Sequence, residues 1–442
     1  MPRARPKRWP PASLFPKKTK TLMALKKQLS AAHSVLRTMF WFKTDDTTLG
    51  PLYRYLFWGI LCIGISHGIY QSVFNNYLYD RFQIGAQERG LLEVFREMPG
   101  LMLMFVTAFM AILPMYVWGA CVGLFCALAA LGLAYWSPTY AIMVPWLMLF
   151  SLGEHLFMPV ESAIGLQVSR EKKEGRGLGL ITGQKNLATI LGAIAVWLGM
   201  EKLNCSYAQI FLLTAIVSVG SAYCLFHLKI KGQNKALSRK KFVFRKEYTI
   251  FYLLNILFGA RKQLFLTFGP WVLISCFAAT PQVIAKLYMI AAFLGFFFRQ
   301  FIGEMVDRFG ERLILMVDAL VLVVISLTFA WANNFYILAT CFIIDGLFFA
   351  TRIARTTYLA KITPQKDEFA ATFSMGVSLD HLVAMGVPVA GGFLWHTTGH
   401  YAAVFISAAV IAILNFICAY YLKIPAPKTS TKIQPPLAHE PL

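Results

Sequence analysis

The chain has 442 residues, 57% of them hydrophobic and only 14% charged, with a mean hydropathy of +0.58. A water-soluble protein of this length needs a larger polar shell, so the composition excludes an ordinary soluble domain and points to the bilayer as solvent. The net charge of +21 does not indicate a nucleic-acid partner: the Lys and Arg residues sit in short loops and tails between apolar runs, with no continuous basic face interleaved with aromatics.

In chain order, residues 1–50 come first, with eleven Lys or Arg against two Asp and prolines at 2, 6, 10, 11 and 16. No apolar core of a cleavable signal peptide is present, so a disordered cytoplasmic tail is expected. A transit peptide, or initiation at Met23, is the alternative. From Pro51 to Lys423, apolar runs of 18 or more residues recur, each long enough to cross about 30 Å of hydrocarbon. Only helices satisfy their own backbone groups in lipid, so the fold class expected is an all-α membrane protein of twelve transmembrane helices.

Residues 51–228 hold expected helices 1 to 6 at 53–78, 90–112, 115–136, 140–166, 178–200 and 207–228. A basic linker at 229–247 follows, containing Lys229, Lys231, Lys235, Arg239, Lys240, Lys241, Arg245 and Lys246. Residues 248–424 hold helices 7 to 12 at 250–275, 282–303, 313–332, 335–360, 371–394 and 401–422, and a tail occupies 425–442. Loop charge then sets the orientation. Lys and Arg crowd one side, while the other holds only Arg81, Arg89 and Lys202, each beside an acid. Both termini are therefore expected in the cytoplasm, at the plasma (inner) membrane.

Six helices, a charged linker and six more suggest two bundles related as parallel repeats. Phe74-Asn75-Asn76-Tyr77 falls against Phe268-Gly269-Pro270-Trp271 at an offset of 194, and Leu156-Phe157 against Leu347-Phe348 at 191. The eight cysteines show no C-x-x-C or metal-ligand spacing and are read as packing residues. No metal and no cofactor is expected. Neither a P-loop nor H-E-x-x-H occurs, so the chain is not read as an enzyme or an ATP-driven pump.

The strongest local signal lies between helices 8 and 9, at Gly303-Glu-Met-Val-Asp307-Arg308-Phe-Gly310-Glu-Arg312. It resembles the G-x-x-x-D-R-x-G-x-R loop signature of the major facilitator superfamily, at every defining position. The two glycines permit a tight turn, and Asp307, Arg308 and Arg312 can meet a helix terminus, carboxylates or anionic headgroups. The resemblance, which covers 51–424, implies the two-bundle fold of that family, transport by alternating access, and a latching role for this loop. Helices 1, 4, 7 and 10 would line a central cavity. One departure stands out: the corresponding first-half loop reads Ile112-Leu113-Pro114-Met115-Tyr116, without charge.

Charge inside the spans marks the expected site. An ionisable residue at mid-bilayer costs about 2.5–3.5 kcal/mol and needs a partner, water or a role. His67, Glu154, Arg261 and Asp345 fall near the midplane of helices 1, 4, 7 and 10. Glu154 and Glu161 share a face, as do Asp345 and Arg352, with Arg355 close by. The repeat register sets Glu161 opposite Arg352, so an acidic stripe on helix 4 is expected to confront a basic one on helix 10. These cations would hold a substrate carboxylate or phosphate while Glu154, Asp345 or His155 exchanges a proton. Lys262 points about 100° from Arg261, so one of the two faces the cavity. Glu93, Arg96 and Glu97, at i, i+3 and i+4, form an expected outer gate, and Lys185 and Asp380 (beside His381) are candidate interface gates. Asp318 is read as structural.

The function expected is secondary transport of a small charged or zwitterionic solute, an organic anion or amino-acid-like metabolite, by a proton-coupled monomer. The alternatives are a cationic drug efflux carrier, and a receptor or scaffold that keeps the fold without transport.

Overall fold

The computed structural model describes residues 50–109, 113–168, 174–229, 245–363 and 366–423. The expected N-terminal tail, most of the linker, Arg170, Lys172 and Lys173 and the C-terminal tail lie outside these residues. Helices run one after another: α1 (Gly50–Phe82), α2 (Ala86–Phe109), α3 (Met115–Tyr135), α4 (Tyr140–Val168), α5 (Glu174–Lys202) and α6 (Tyr207–Phe226). A short 3-10 turn, Lys246–Tyr248, leads into α7 (Thr249–Ser275), then α8 (Pro281–Phe309) and α9 (Glu311–Trp331). The tenth rod, α10 (Phe335–Ile362), is interrupted by a 3-10 turn at Phe349–Thr351. α11 (Lys366–Thr398) and α12 (Ala402–Tyr420) complete the chain.

Local chemistry sets several helix starts. Ser206 caps α6 in a reciprocal box with Gln209. The Asn334 carboxamide accepts from the Tyr336 and Ile337 amides at 2.9 and 3.2 Å to open α10. Pro281 occupies the first turn of α8, where its missing N–H costs nothing. Between α8 and α9 the chain reverses at Gly310, whose φ of 81° and ψ of 162° suit glycine alone. Gly303 sits inside α8 with open space where a Cβ would stand. The turn therefore requires one glycine of the signature, not two.

Nine of these rods are long and apolar enough to cross a bilayer. The other three, α2, α5 and α7, carry Glu93, Arg96 and Glu97, then Lys185, then Arg261 and Lys262. Large apolar side chains on α6, α8, α9 and α12, among them Ile216, Phe293, Val324 and Val410, are exposed, as a lipid-facing surface requires.

Within the first six helices, α3 packs on α6 and α4, and α4 on α2 and α5. Ser66 and Ser218 join α1 to α6 at 2.7 Å, and Gln184 donates to the Phe57 carbonyl at 2.6 Å to hold α5 on α1. Within the last six, α9 packs on α12, α7 on α11 and α12, and α8 on α10. Phe329 stacks on Phe405, and Phe265 meets both rings edge-on. The two sets meet where α2 packs on α11, α5 on α8 and α2 on α7.

Contacts between the sets concentrate at the end that carries the 83–85, 203–206 and 276–280 connections, here end A. Asn76 donates to the Ala279 carbonyl at 2.7 Å, Tyr79 packs edge-on against Trp271, and Lys286 reaches Glu201 at 2.6 Å. At Gly90 a Cβ would lie 2.3 Å from the Pro388 carbonyl oxygen, so α2 and α11 approach there only because a side chain is missing.

Candidate functional site

The polar interior begins on α2. Arg89, placed by loop charge in an outer connection, instead lies in the first turn of α2 and is 4% exposed. Its Nε donates to Asn75 at 2.9 Å and its Nη1 to Glu93 at 2.6 Å. Glu93 also accepts from Arg96 at 2.6 Å and from Gln263 of α7 at 2.8 Å. One buried carboxylate thus takes three donors, which is what makes its charge tolerable inside the protein. A turn further on, Glu97 bonds Arg96 at 2.6 Å through one oxygen and His381 of α11 at 2.9 Å through the other.

Other candidates form pairs. His67 of α1 meets Glu154 of α4. Arg261 of α7 meets Asp345 of α10, both buried, and the Arg261 guanidinium lies over the rings of Phe258 and Phe265. Asp318, on α9 next to this pair, accepts from Thr351 at 3.0 Å. Lys262 turns to Asp380 of α11 at 2.6 Å, so Arg261 and Lys262 do face different neighbours. His155 is buried beside Glu97 rather than paired with its neighbour Glu154.

The expected confrontation between helix 4 and helix 10 does not form. Glu161 accepts from Lys185 of α5 at 2.5 Å and from Thr182 at 3.0 Å, while Arg352 is exposed. Arg355 is buried with its guanidinium 3.4 Å from the centre of the Phe258 ring. A seven-residue spacing keeps two side chains on one face, but that face of α4 is wide enough to meet α1 at Glu154 and α5 at Glu161. Lys185 and Asp380 likewise pair within their own set of six helices and do not bridge the two sets.

Around the loop signature, Asp307 and Arg308 are exposed on the last turn of α8, and Arg312 lies 4.8 Å from the Tyr420 ring. The buried acid of this region is Glu311, fully enclosed and met by Lys361 at 2.6 Å. The signature pattern passes over Glu311 because its position is variable there. Gln263 and Arg89 also lie outside the expected site. The i, i+4 relation of Arg89 to Glu93 was the available signal for one of them; Gln263, uncharged, offered none.

Two side-chain bonds from these α2 acids cross between the first six and last six helices: Glu93 to Gln263 and Glu97 to His381. Both have α2 carboxylates as acceptors and uncharged or titratable donors on the far side. Such bonds hold the sets together without fixing a full buried ion pair, which would be costly to separate.

Residues 251–442 match the sequence model of the Major Facilitator Superfamily. Among solved structures, a variant of the nucleoside transporter NupG superposes with a TM-score of 0.70 at 14% identity, covering 84% of this chain and 99% of that one. The unaltered NupG gives 0.68 at 13%, covering 85% and 100%. A bacterial homologue of the human lysosomal transporter Spinster, inward-facing and occupied, gives 0.64 at 12%, covering 83% and 95%. Curated protein sequences give no match. Residues 251–442 thus match the family in sequence, and the fold of these transporters runs through more than four-fifths of the chain.

Proposed function

We propose that the chain is a secondary carrier that moves a small charged or zwitterionic solute by alternating access between two six-helix bundles, residues 51–228 and 248–424. The supporting observation is the interior itself. Charged groups of α1, α2, α4, α7, α10 and α11 are held in bonded pairs, yet the α2 acids reach across the bundles through only two hydrogen bonds. A permanently locked scaffold has no need of so many charges at membrane depth. End A faces outward by the loop-charge argument, so the arrangement described is sealed toward the outside.

Arg261 is the residue proposed to meet the substrate's anionic group, exchanging Asp345 for it on binding. Asp345, which faces Arg261 of α7 with Asp318 of α9 within electrostatic reach, would take up a proton when that exchange occurs. NupG, which has the same fold, is a nucleoside transporter by its title, so nucleosides belong in any substrate panel beside carboxylic acids and amino acids.

The test is counterflow into proteoliposomes loaded with each solute class, with and without a pH gradient. Saturable uptake of one class, strongly reduced in Arg261→Ala and partly kept in Arg261→Lys, is expected. Asp345→Asn should transport down a solute gradient but lose the response to pH. The uncharged connection ahead of Met115 favours one rival, a receptor on the same fold. Tight binding of a solute with no flux across the panel would establish that reading instead.

A further inference from the structure

We propose that Glu97, His155 and His381 form a binding site for one late first-row divalent ion, such as zinc, that clamps α2 and α4 to α11. The proposal depends on the fold and not on which solute is carried.

Three features carry it. First, donor atoms of the three side chains lie within 4.8 Å of one another, and all three residues are buried. Ligands bonded at about 2 Å to one ion stand about 3–4 Å apart, so small ring rotations complete the site. Second, the His155 ring is already held as a metal ligand is held. Its Nδ1 donates to the Ser151 carbonyl at 2.8 Å, with the Ser151 hydroxyl at 3.1 Å. The neutral ring then carries its lone pair on Nε2, which faces Glu97 Oε2 at 3.9 Å. Two electron-rich atoms face each other, an arrangement that a positive ion between them resolves. Third, both rings close on α2 at a glycine. A Cβ on Gly100 would lie 2.5 Å from His155 Nε2 and 2.9 Å from His381 Cε1, so only a missing side chain lets the two imidazoles come this near Glu97's helix.

The donor set decides the class of ion. Two imidazoles and one carboxylate suit zinc, cobalt or nickel, whereas magnesium and calcium take oxygen ligands. Arg96 occupies the other oxygen of Glu97 and is itself bonded to Glu93, so Oε2 stays available. His381 Nδ1, now 2.9 Å from Oε2, would either give up its proton to bind or turn to present Nε2. Because α11 belongs to the last six helices and α2 and α4 to the first six, the ion would tie the two sets together midway along these helices.

Purified protein titrated with Co2+ tests this directly. Saturable binding of one ion per chain, with visible absorption of low-coordinate cobalt, is expected, and zinc should displace it and raise the melting temperature. Glu97→Gln and His155→Gln should lose the signal. Since either substitution could disturb folding, His381→Cys supplies a gain of signal: a thiolate-to-cobalt charge-transfer band that only an assembled site produces. Folded wild-type protein without saturable Co2+ or Zn2+ binding would overturn the proposal. So would binding unaffected by all three substitutions, or a cluster that responds to pH alone.

Discussion

Arg261 and Asp345 show what single residues decide here. Each is almost fully enclosed, and each neutralises the other across α7 and α10. Removing one partner strands a buried charge at about 3–5 kcal/mol, whereas replacing both by apolar groups of similar size is close to neutral. Arg261→Met alone should therefore destabilise the protein by that amount, and Arg261→Met with Asp345→Leu should recover most of it, read from unfolding in mild detergent. Equal losses in the single and double variants would mean the pair is not what holds these helices. Contacts along one helix were partly legible in the sequence: Glu93 bonds Arg96 as their spacing suggests, while Arg96 also takes its immediate neighbour Glu97, which spacing does not suggest. Partners on different helices were not, because the repeat register gives depth in the membrane but not rotation about the helix axis. Glu161 consequently meets Lys185 instead of Arg352.

Among the elements, the α8–α9 turn separates the two glycines of the signature. Gly310 adopts a backbone region that side chains avoid, so Gly310→Ala should cost about 1–3 kcal/mol. Gly303→Ala, in an open helical position, should be neutral or gain up to about 1 kcal/mol. Melting of the two variants in the same detergent measures the difference. Helix existence and order were legible for the nine runs long and apolar enough to span the bilayer, and α2, α5 and α7, diluted by charge, follow from the polar breaks on either side of them. The ends were less so. α8 runs on to Phe309 and α11 begins at Lys366, because polar residues at a helix terminus facing water continue the hydrogen-bonding ladder without cost. The uncharged entry to α3, capped only by Pro114, breaks the symmetry between the halves as its sequence suggests.

At the scale of the whole molecule, the contacts that join the first six helices to the last six include Asn76 and the Lys286–Glu201 pair at end A, and Gln263 and His381 midway along their helices. The helices and their order could be counted from hydropathy and polar breaks. Which end is sealed could not, because that depends on how two surfaces fit, and the close approach at Gly90 is visible only once α2 and α11 are side by side. An alternating carrier must open this end while closing the other. The most direct measurement uses spin-label pairs in a background lacking the eight native cysteines. One pair spans end A at the exposed Leu203 and Thr280; the other spans the opposite end at the exposed Lys229 and Arg308. Two distance populations at each end are predicted, exchanging in opposite directions as pH or transported solute is varied, with Lys286→Ala favouring the long distance at end A. A single, fixed distance at both ends under every condition, in folded protein, would contradict the carrier mechanism.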